Sequence, residues 1–188
     1  MTDKSTIQRY RTEGVRLAFI LRHKPENYGL SIDTHGWVSV KDLLEACEYT
    51  PEFLDELVTA DNKGRYVYNE DKSKIRACQG HTHPKVQIEH VEVTPPNLLY
   101  HGTTMTAFAK ICFEGLDKME RHDVHIHDSE IQAIRSAMRW KSQEPFLIRI
   151  DAKQMVQDGF KFYRSSNGVW LTKHVPSKYL FGYWPSFA

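Results

Sequence analysis

Two adjacent prolines, at positions 95 and 96, divide this 188-residue chain into parts with different sequence patterns. Proline cannot continue a helix or the interior of a sheet, so the pair favours a domain boundary here. Helical periodicity predominates before the pair, and alternating or continuous apolar segments typical of strands predominate after it. The length suits one domain of ordinary size or two small lobes packed together. We therefore predict an α+β protein with domains at residues 1–90 and 91–188.

The first part predicts three helices followed by a β-hairpin. Helical spacing covers residues 5–22 and recurs around Leu43, and Thr50 before Pro51 is a favourable start for a third helix. Two short alternating runs, 65–68 and 74–78, flank a polar turn and predict the hairpin. This order is typical of a winged-helix module, a common nucleic-acid-binding unit, and another small α+β unit fits the pattern about as well.

The second part predicts mainly strands joined by short helices. We expect helices around Phe108 and over residues 129–141, the first of them ending near Gly115. Strands are predicted for residues 98–103, 124–127, 146–150, 160–162 and 168–172.

Charge and composition exclude several classes of protein. The 25 Lys and Arg residues nearly balance the 24 Asp and Glu residues, so a nucleic acid would have to be bound by a local patch. No apolar run reaches the roughly 18–20 residues that span a bilayer, and the polar N-terminus lacks the apolar core of a signal peptide. Three dispersed cysteines without a CxxC pair favour a reducing compartment. We expect a cytoplasmic protein with no membrane partner.

The candidate binding groups are arginines and histidines. The sequence contains neither the glycine-rich GxGxxG nor the GxxxxGK[ST] phosphate loop, so a Rossmann or P-loop site is not expected. Arg22 and His23 end the first predicted helix, and Lys63, Arg65 and Arg76 lie on the predicted hairpin. Arginine binds phosphate oxygens in a bidentate manner, although any one of these cations could instead be a solvated surface charge.

A metal site is the less favoured interpretation of the histidines. His125 and His127 would share one face of a strand, which is a geometry that zinc can use. Zinc needs at least a third ligand, and no spacing in the sequence supplies one. Hydrogen bonding in a polar cleft or exposure to solvent is the commoner role, and we expect no metal.

Seven short motifs occur in an order that is more specific than any one of them. They are LRHKP (21–25), DTHGWVSVKDLL (33–44), NKGRY (62–66), IRACQGHT (75–82), LYHGT (99–103), RHDVHI (121–126) and NGVWLT (167–172). The series closely resembles the RNA 2′-phosphotransferase family, the NAD-dependent enzymes of tRNA splicing. The resemblance runs from about residue 12 to about residue 180, nearly the whole chain.

The resemblance implies a fold and a reaction. The fold is an N-terminal winged-helix lobe joined to a C-terminal ADP-ribosyltransferase-like lobe, whose split β-sheet holds NAD without a glycine-rich turn. The reaction moves an internal RNA 2′-phosphate to NAD through an ADP-ribosylated RNA phosphate intermediate. It releases nicotinamide and a cyclic ADP-ribose phosphate, so NAD is a co-substrate and the RNA partner is tRNA-like.

The resemblance also assigns roles to residues. The catalytic set is Arg22, His23, Arg76 and Arg139, with Arg135 as the alternative for the last position. The NAD-binding positions are His101, Gly102, Thr103, Arg121 and His125. We expect the RNA side of the site to include Lys63, Arg65, Gln79, Gly80 and His81. The family often has serine where this chain has His127, so His127 could donate the same hydrogen bond.

Two other functions compete with this one. A related ADP-ribosyltransferase could modify terminal phosphates of RNA or DNA with the same arginines. A winged-helix RNA-binding protein with an inert second lobe is the non-enzyme alternative, but such a protein would have no use for Arg22, His23 and Arg76 together. We expect a monomer.

Overall fold

The computed structural model describes residues 4–138 and 143–184. The chain forms two compact units, which divide after Glu89. The described residues contain α-helices and small antiparallel sheets, so the α+β prediction is confirmed. In this part of the chain, no helix combines the length and the apolar composition that crossing a bilayer requires.

The described residues of the first unit form three α-helices, one 3-10 helix and a three-stranded sheet. Its elements are α1 (Lys4–Arg22), a 3-10 helix (Pro25–Tyr28), β1 (Val38–Ser39), α2 (Val40–Cys47), α3 (Pro51–Thr59), β2 (Tyr66–Tyr68) and β3 (Lys74–Ala77). The strands are antiparallel in the order β1-β3-β2. Tyr66 pairs with Ala77, and Tyr68 pairs with Ile75, so the predicted hairpin is confirmed.

Local sequence explains where these helices begin, and burial explains how they pack. The Ser39 hydroxyl accepts a hydrogen bond from the Asp42 amide at 3.3 Å, and the Thr50 hydroxyl accepts one from the Phe53 amide at 3.2 Å. The Tyr66 hydroxyl donates to the Gly14 carbonyl at 2.7 Å and ties the sheet to α1. Side chains with almost no exposure form the core, including Leu17, Ile20, Leu21, Leu43, Leu54 and Ile75.

The second unit is built from short antiparallel sheets and three short helices. Its strands are β4 (Val91–Glu92), β5 (Leu98–Thr104), β6 (Leu116–Asp117), β7 (Val124–Ile126), β8 (Pro145–Asp151), β9 (Tyr163–Arg164), β10 (Trp170–Thr172), β11 (His174–Val175) and β12 (Leu180–Tyr183). Its helices are α4 (Met105–Glu114), α5 (Glu130–Ala137), α6 (Ala152–Gln157) and a 3-10 turn (Ser177–Tyr179).

Two larger sheets organise this unit. One has the strand order β12-β8-β5, the other has the order β4-β9-β10-β7, and β11 and β6 form a separate pair. Residues Tyr100 and His127 form a bridge that connects β5 to the end of β7. The apolar faces of β5, β7 and β8 supply buried residues to one core, including Leu99, Ile126, Ile148 and Ile150.

Some predictions for this unit are wrong. Residues 160–162 are not a strand, and β9 begins at Tyr163. The alternation of Phe160 and Phe162 reflects burial of Phe162, whose carbonyl accepts a hydrogen bond from Val93 at 3.0 Å. Helix α5 ends at Ala137 rather than at 141, with Met138 in a turn, and residues 139–142 lie outside the described part. Helix α6 and strand β12 were not predicted.

Candidate active site

Two candidate residues, Arg22 and His23, lie at the C-terminal end of α1. Arg22 is the last helical residue, and both side chains are half-buried. The His23 ring nitrogen Nδ1 lies 3.0 Å from the Thr82 hydroxyl. The Phe19 ring lies one turn earlier in the helix, with its centroid 5.8 Å from that of His23. The histidine ring is therefore oriented by contacts from the helix and from the segment that follows β3.

That segment, residues 79–82, also contacts Arg22. The Thr82 amide donates a hydrogen bond to the Arg22 carbonyl at 3.0 Å. Gly80 has a φ of +88°, and a Cβ at this position would lie 3.4 Å from Arg22 Nε and 3.5 Å from Cζ. Glycine tolerates this φ and leaves room for the guanidinium, so we interpret Gly80 as part of the surface on which Arg22 rests.

Arg76 lies on β3 and is held by groups that carry no charge. Its Nη1 donates to the His35 carbonyl at 3.1 Å, and its guanidinium carbon lies 4.4 Å from the Trp37 ring centroid. Stacking on an indole face stabilises a guanidinium without neutralising it. These two contacts orient the Arg76 guanidinium without compensating its charge, which suits an anionic partner.

The turn at residues 33–37 presents both of these groups to Arg76. An Asp33 carboxylate oxygen accepts hydrogen bonds from the amides of His35 and Trp37, each at 2.9 Å. This arrangement is an Asx-type turn, in which a short side chain fixes the backbone that follows it. The indole and the carbonyl are thus positioned by the fold of the turn.

His81 connects this turn to residues 79–82. The His81 side chain is 2% exposed, and a Cβ at Gly36 would lie 3.1 Å from its Nε2. The structure therefore links Arg22 and His23, through residues 79–82 and the turn, to the residues that hold Arg76. Gln79 is half-buried in the same segment.

The two remaining candidates on the RNA side differ in their surroundings. Arg65 is bound to Asp61 by three hydrogen bonds, from its backbone N at 2.5 Å, its Nε at 2.8 Å and its Nη2 at 2.6 Å. The Asp61 side chain is only 3% exposed. Burial alone would raise the pKa of Asp61, but the bonds from Arg65 outweigh it and hold that pKa below the usual range. Lys63 lies exposed in the turn before β2.

In the second unit, three of the five candidate NAD-binding residues lie together. The His101 Nδ1 is 3.0 Å from the His125 carbonyl, and the Arg121 Nη1 is 3.4 Å from the His125 Nδ1. His101 lies on β5 and His125 on β7, so two neighbouring strands carry the cluster. One cationic and two imidazole side chains at one place suit a ligand with phosphate and hydroxyl oxygens.

The other two candidates, Gly102 and Thr103, are buried on β5. A Cβ at Gly102 would lie 1.9 Å from the Ala133 carbonyl oxygen of α5. The backbone of α5 therefore approaches Gly102 closely. This glycine has a packing role whether or not a ligand also approaches it.

The histidine pair that suggested a metal has other partners. His127 Nε2 lies 3.1 Å from the Ser136 hydroxyl on α5. Among residues 4–138 and 143–184, no group of three or more His, Cys, Asp or Glu side chains could hold a metal ion. Arg135, the alternative fourth catalytic residue, is exposed on α5, and Arg139 lies outside the described residues.

Three residues that position the candidates were not predicted from the sequence. Thr82 belongs to the IRACQGHT motif and directly follows the candidate His81. Trp37 resembles a core residue because it sits in an apolar run, yet it is half-buried and lies against Arg76. Asp33 begins the same motif as Trp37, and an Asx turn before Gly36 was the signal that could have identified it.

A comparison with protein families gives one match over most of the chain. Residues 9–174 match the model of the family described as RNA 2'-phosphotransferase, Tpt1 / KptA family. The matched segment includes every candidate residue named above.

Individual proteins show the same similarity. A Fusobacterium nucleatum protein named Probable RNA 2'-phosphotransferase is 41% identical over 169 residues, which are 87% of this chain and 93% of that protein. The Flavobacterium johnsoniae protein of the same name is also 41% identical, over 87% of this chain and 91% of its own length. An Escherichia coli protein of that name is 37% identical over 90% of this chain and 88% of its own.

We expect Asp61→Asn to destabilise the protein by about 1–3 kcal/mol at neutral pH, because it leaves the half-buried Arg65 cation without its carboxylate. A carboxyl group whose pKa is depressed on folding contributes stability above its unfolded pKa of about 4, and that contribution is lost as the pH falls through the folded value. Denaturant unfolding of the parent and of Asp61→Asn at about pH 7 and about pH 3 measures the difference in their free energies of unfolding. The matched control is Glu114→Gln, whose carboxylate pairs with Lys110 on the exposed surface of α4. A stability difference that is equal at both pH values would contradict the role of the Asp61 charge.

We expect Gly102→Ala to destabilise the second unit by about 1–3 kcal/mol or more, because the added methyl overlaps the Ala133 carbonyl. The measurement is the thermal unfolding midpoint. Gly14→Ala is the control, and we expect it to raise the unfolding midpoint. A Cβ at this position in α1 would meet nothing nearer than Leu57 at 3.9 Å, and alanine favours a helix. An unchanged midpoint for Gly102→Ala would show that α5 does not pack on this strand as described.

Proposed function

The chain belongs to the RNA 2'-phosphotransferase, Tpt1 / KptA family, and from this membership we propose that it removes an internal 2′-phosphate from RNA with NAD as co-substrate. One observation carries the proposal. Two adjoining segments, residues 79–82 and the turn at 33–37, hold the side chains of Arg22, His23 and Arg76. Phosphate needs such donors, and Arg76 is held by a carbonyl and an indole ring, neither of which cancels its charge.

We assign the two units different ligands. Three helices and the antiparallel order β1-β3-β2 support a winged-helix lobe that binds RNA. The two larger sheets of the second unit, of orders β12-β8-β5 and β4-β9-β10-β7, support an ADP-ribosyltransferase-like lobe with a split sheet. A tRNA-like substrate, a cytoplasmic location and a monomeric state stay predictions.

The side chains of the second unit fit NAD. His101, Arg121 and His125 lie together, and they can bond to ribose hydroxyls and to a pyrophosphate. Imidazole and guanidinium donors are suited to these oxygens and need no metal. When bound, NAD supplies an anomeric carbon that bears nicotinamide as a leaving group.

The first transfer needs positioning more than a base. A phosphate monoester is already an anion at neutral pH, so its oxygen can attack the anomeric carbon as the bond to nicotinamide breaks. We propose that Arg22 and Arg76 bind the other phosphate oxygens and orient this attack. Their fixed charges also stabilise the phosphate in the second transfer, when the adjacent ribose hydroxyl attacks phosphorus and the RNA 2′-oxygen leaves.

The second transfer requires movement of protons. The attacking hydroxyl must lose a proton, and the departing RNA 2′-oxygen must gain one. We propose that His23 accepts the first of these protons or orients the phosphate for the attack. The products are RNA with a 2′-hydroxyl and a cyclic ADP-ribose phosphate.

The direct test incubates the protein with NAD and a short RNA that carries one internal 2′-phosphate. Chromatography and mass spectrometry follow the RNA, nicotinamide and the ADP-ribose products together. We expect loss of the 2′-phosphate with matching nicotinamide and cyclic ADP-ribose phosphate. ADP-ribosylated RNA as the end product would favour an enzyme that modifies terminal phosphates, and no NAD consumption would favour a binding protein.

We expect Arg76→Ala to lower kcat/KM by about 100- to 1000-fold, as removal of one preorganised donor does in other enzymes. Arg76→Lys keeps the charge but loses the planar stacking on Trp37. We therefore expect its kcat/KM to fall by at least about 10-fold as well. The control is Arg11→Ala, an exposed arginine on α1. Activity of Arg76→Ala within about twofold of the parent would remove Arg76 from the proposed machinery.

A further inference from the structure

We propose that Thr82 is the positioning residue of His23, and that its hydroxyl fixes the histidine ring through Nδ1 so that Nε2 faces the reacting groups. The inference rests on the proposed function for the reaction that His23 serves. Thr82 itself touches neither substrate nor the reacting atoms in this scheme. It acts through His23.

The contact is direct and well placed. The Thr82 Oγ1 lies 3.0 Å from His23 Nδ1, within the range of a normal hydrogen bond. The Thr82 amide is also bonded to the Arg22 carbonyl at 3.0 Å, so the hydroxyl is anchored to the residue beside the one it orients. In the proposed scheme the other ring nitrogen, Nε2, is the one that acts on the phosphate.

The chemical character of the partner matters for a reaction with two transfers. A hydroxyl can donate to Nδ1 or accept from Nδ1–H, because its hydrogen rotates. Nε2 can therefore act as a donor to the phosphate in one transfer and as a proton acceptor in the other, with the ring held in one place. A carboxylate partner would keep the proton on Nδ1 and fix Nε2 as an acceptor. The pairing with threonine suits a histidine whose role changes between the two transfers.

The backbone and the side chain of Thr82 have separable roles. The amide bond to Arg22 attaches residues 79–82 to α1 and does not involve the hydroxyl. Valine has nearly the shape of threonine and keeps this amide, but it offers no group to Nδ1. Serine keeps the hydroxyl. A comparison of Thr82→Val with Thr82→Ser thus separates the role of the hydroxyl in orienting His23 from the role of the side chain in packing.

The kinetic experiment compares Thr82→Val, Thr82→Ser and the parent on the 2′-phosphorylated RNA with NAD. We expect Thr82→Val to lower kcat by about 10- to 100-fold with KM for NAD within about twofold, because ring orientation is lost while binding is kept. Thr82→Ser should retain kcat within about threefold. Thr59→Val is the control, at the exposed end of α3. Equal losses in the valine and serine variants, or no loss in the valine variant, would overturn the proposal.

A second measurement does not depend on activity. Nitrogen-15 NMR of the protein without ligands reports the hydrogen bonding of each histidine ring nitrogen, and a His23→Gln spectrum identifies the His23 signals. We expect His23 Nδ1 to give the shift of a hydrogen-bonded nitrogen in the parent and in Thr82→Ser, and a different shift, without this bond, in Thr82→Val. A His23 Nδ1 that lacks a hydrogen bond in the parent would overturn the proposal even if the valine variant failed to fold.

The two measurements separate the failure of this inference from the failure of the proposed function. A parent protein that does not process the RNA, but shows a hydrogen-bonded His23 Nδ1, would contradict the function and leave Thr82 as the residue that orients His23. A parent that processes the RNA, with valine and serine variants equally active, would support the function and contradict the inference.

Discussion

The hydrogen bond from the Thr82 amide to the Arg22 carbonyl is the contact on which the arrangement of the first unit's site depends. The last four carbonyls of a helix have no partner within it, so the end of α1 needs a donor from elsewhere. The amide of Thr82, in the segment that follows β3, supplies that donor. Satisfying the helix end therefore brings the hydroxyl of Thr82 to His23 and the backbone of Gly80 to Arg22.

The contrast between Arg65 and Arg76 shows how one hairpin holds two arginines for different purposes. Arg65 is fixed by a buried carboxylate, which compensates its charge and stabilises the turn before β2. Arg76 is fixed by a carbonyl and an indole ring, neither of which carries a charge. An orienting group that leaves the cation uncompensated preserves its attraction for phosphate, whereas an ion pair reduces it. Arg76 is therefore much better suited to bind an anionic substrate than Arg65.

An element of the fold could be predicted from the sequence where the pattern that produces it lies within its own segment. Helices α1 and α3 and the β2–β3 hairpin were predictable, because apolar spacing and the Thr50-Pro51 start lie within each segment. Strand β12 was not, since only pairing with β8 makes it a strand. The motifs identified Arg22, His23 and Arg76, but the contact of Thr82 with His23 joins residues 59 positions apart, and no spacing rule predicts it.

A motif residue can serve the fold and the chemistry at once, so its identity alone does not assign it to either. Gly102 lies in the motif LYHGT, where the resemblance implies NAD, yet its lack of a side chain is already required by the Ala133 carbonyl. The neighbouring His101 is half-buried, and its ring bonds to the His125 carbonyl. A ligand site in the second unit is therefore supported by the donor side chains of His101, Arg121 and His125 more than by Gly102.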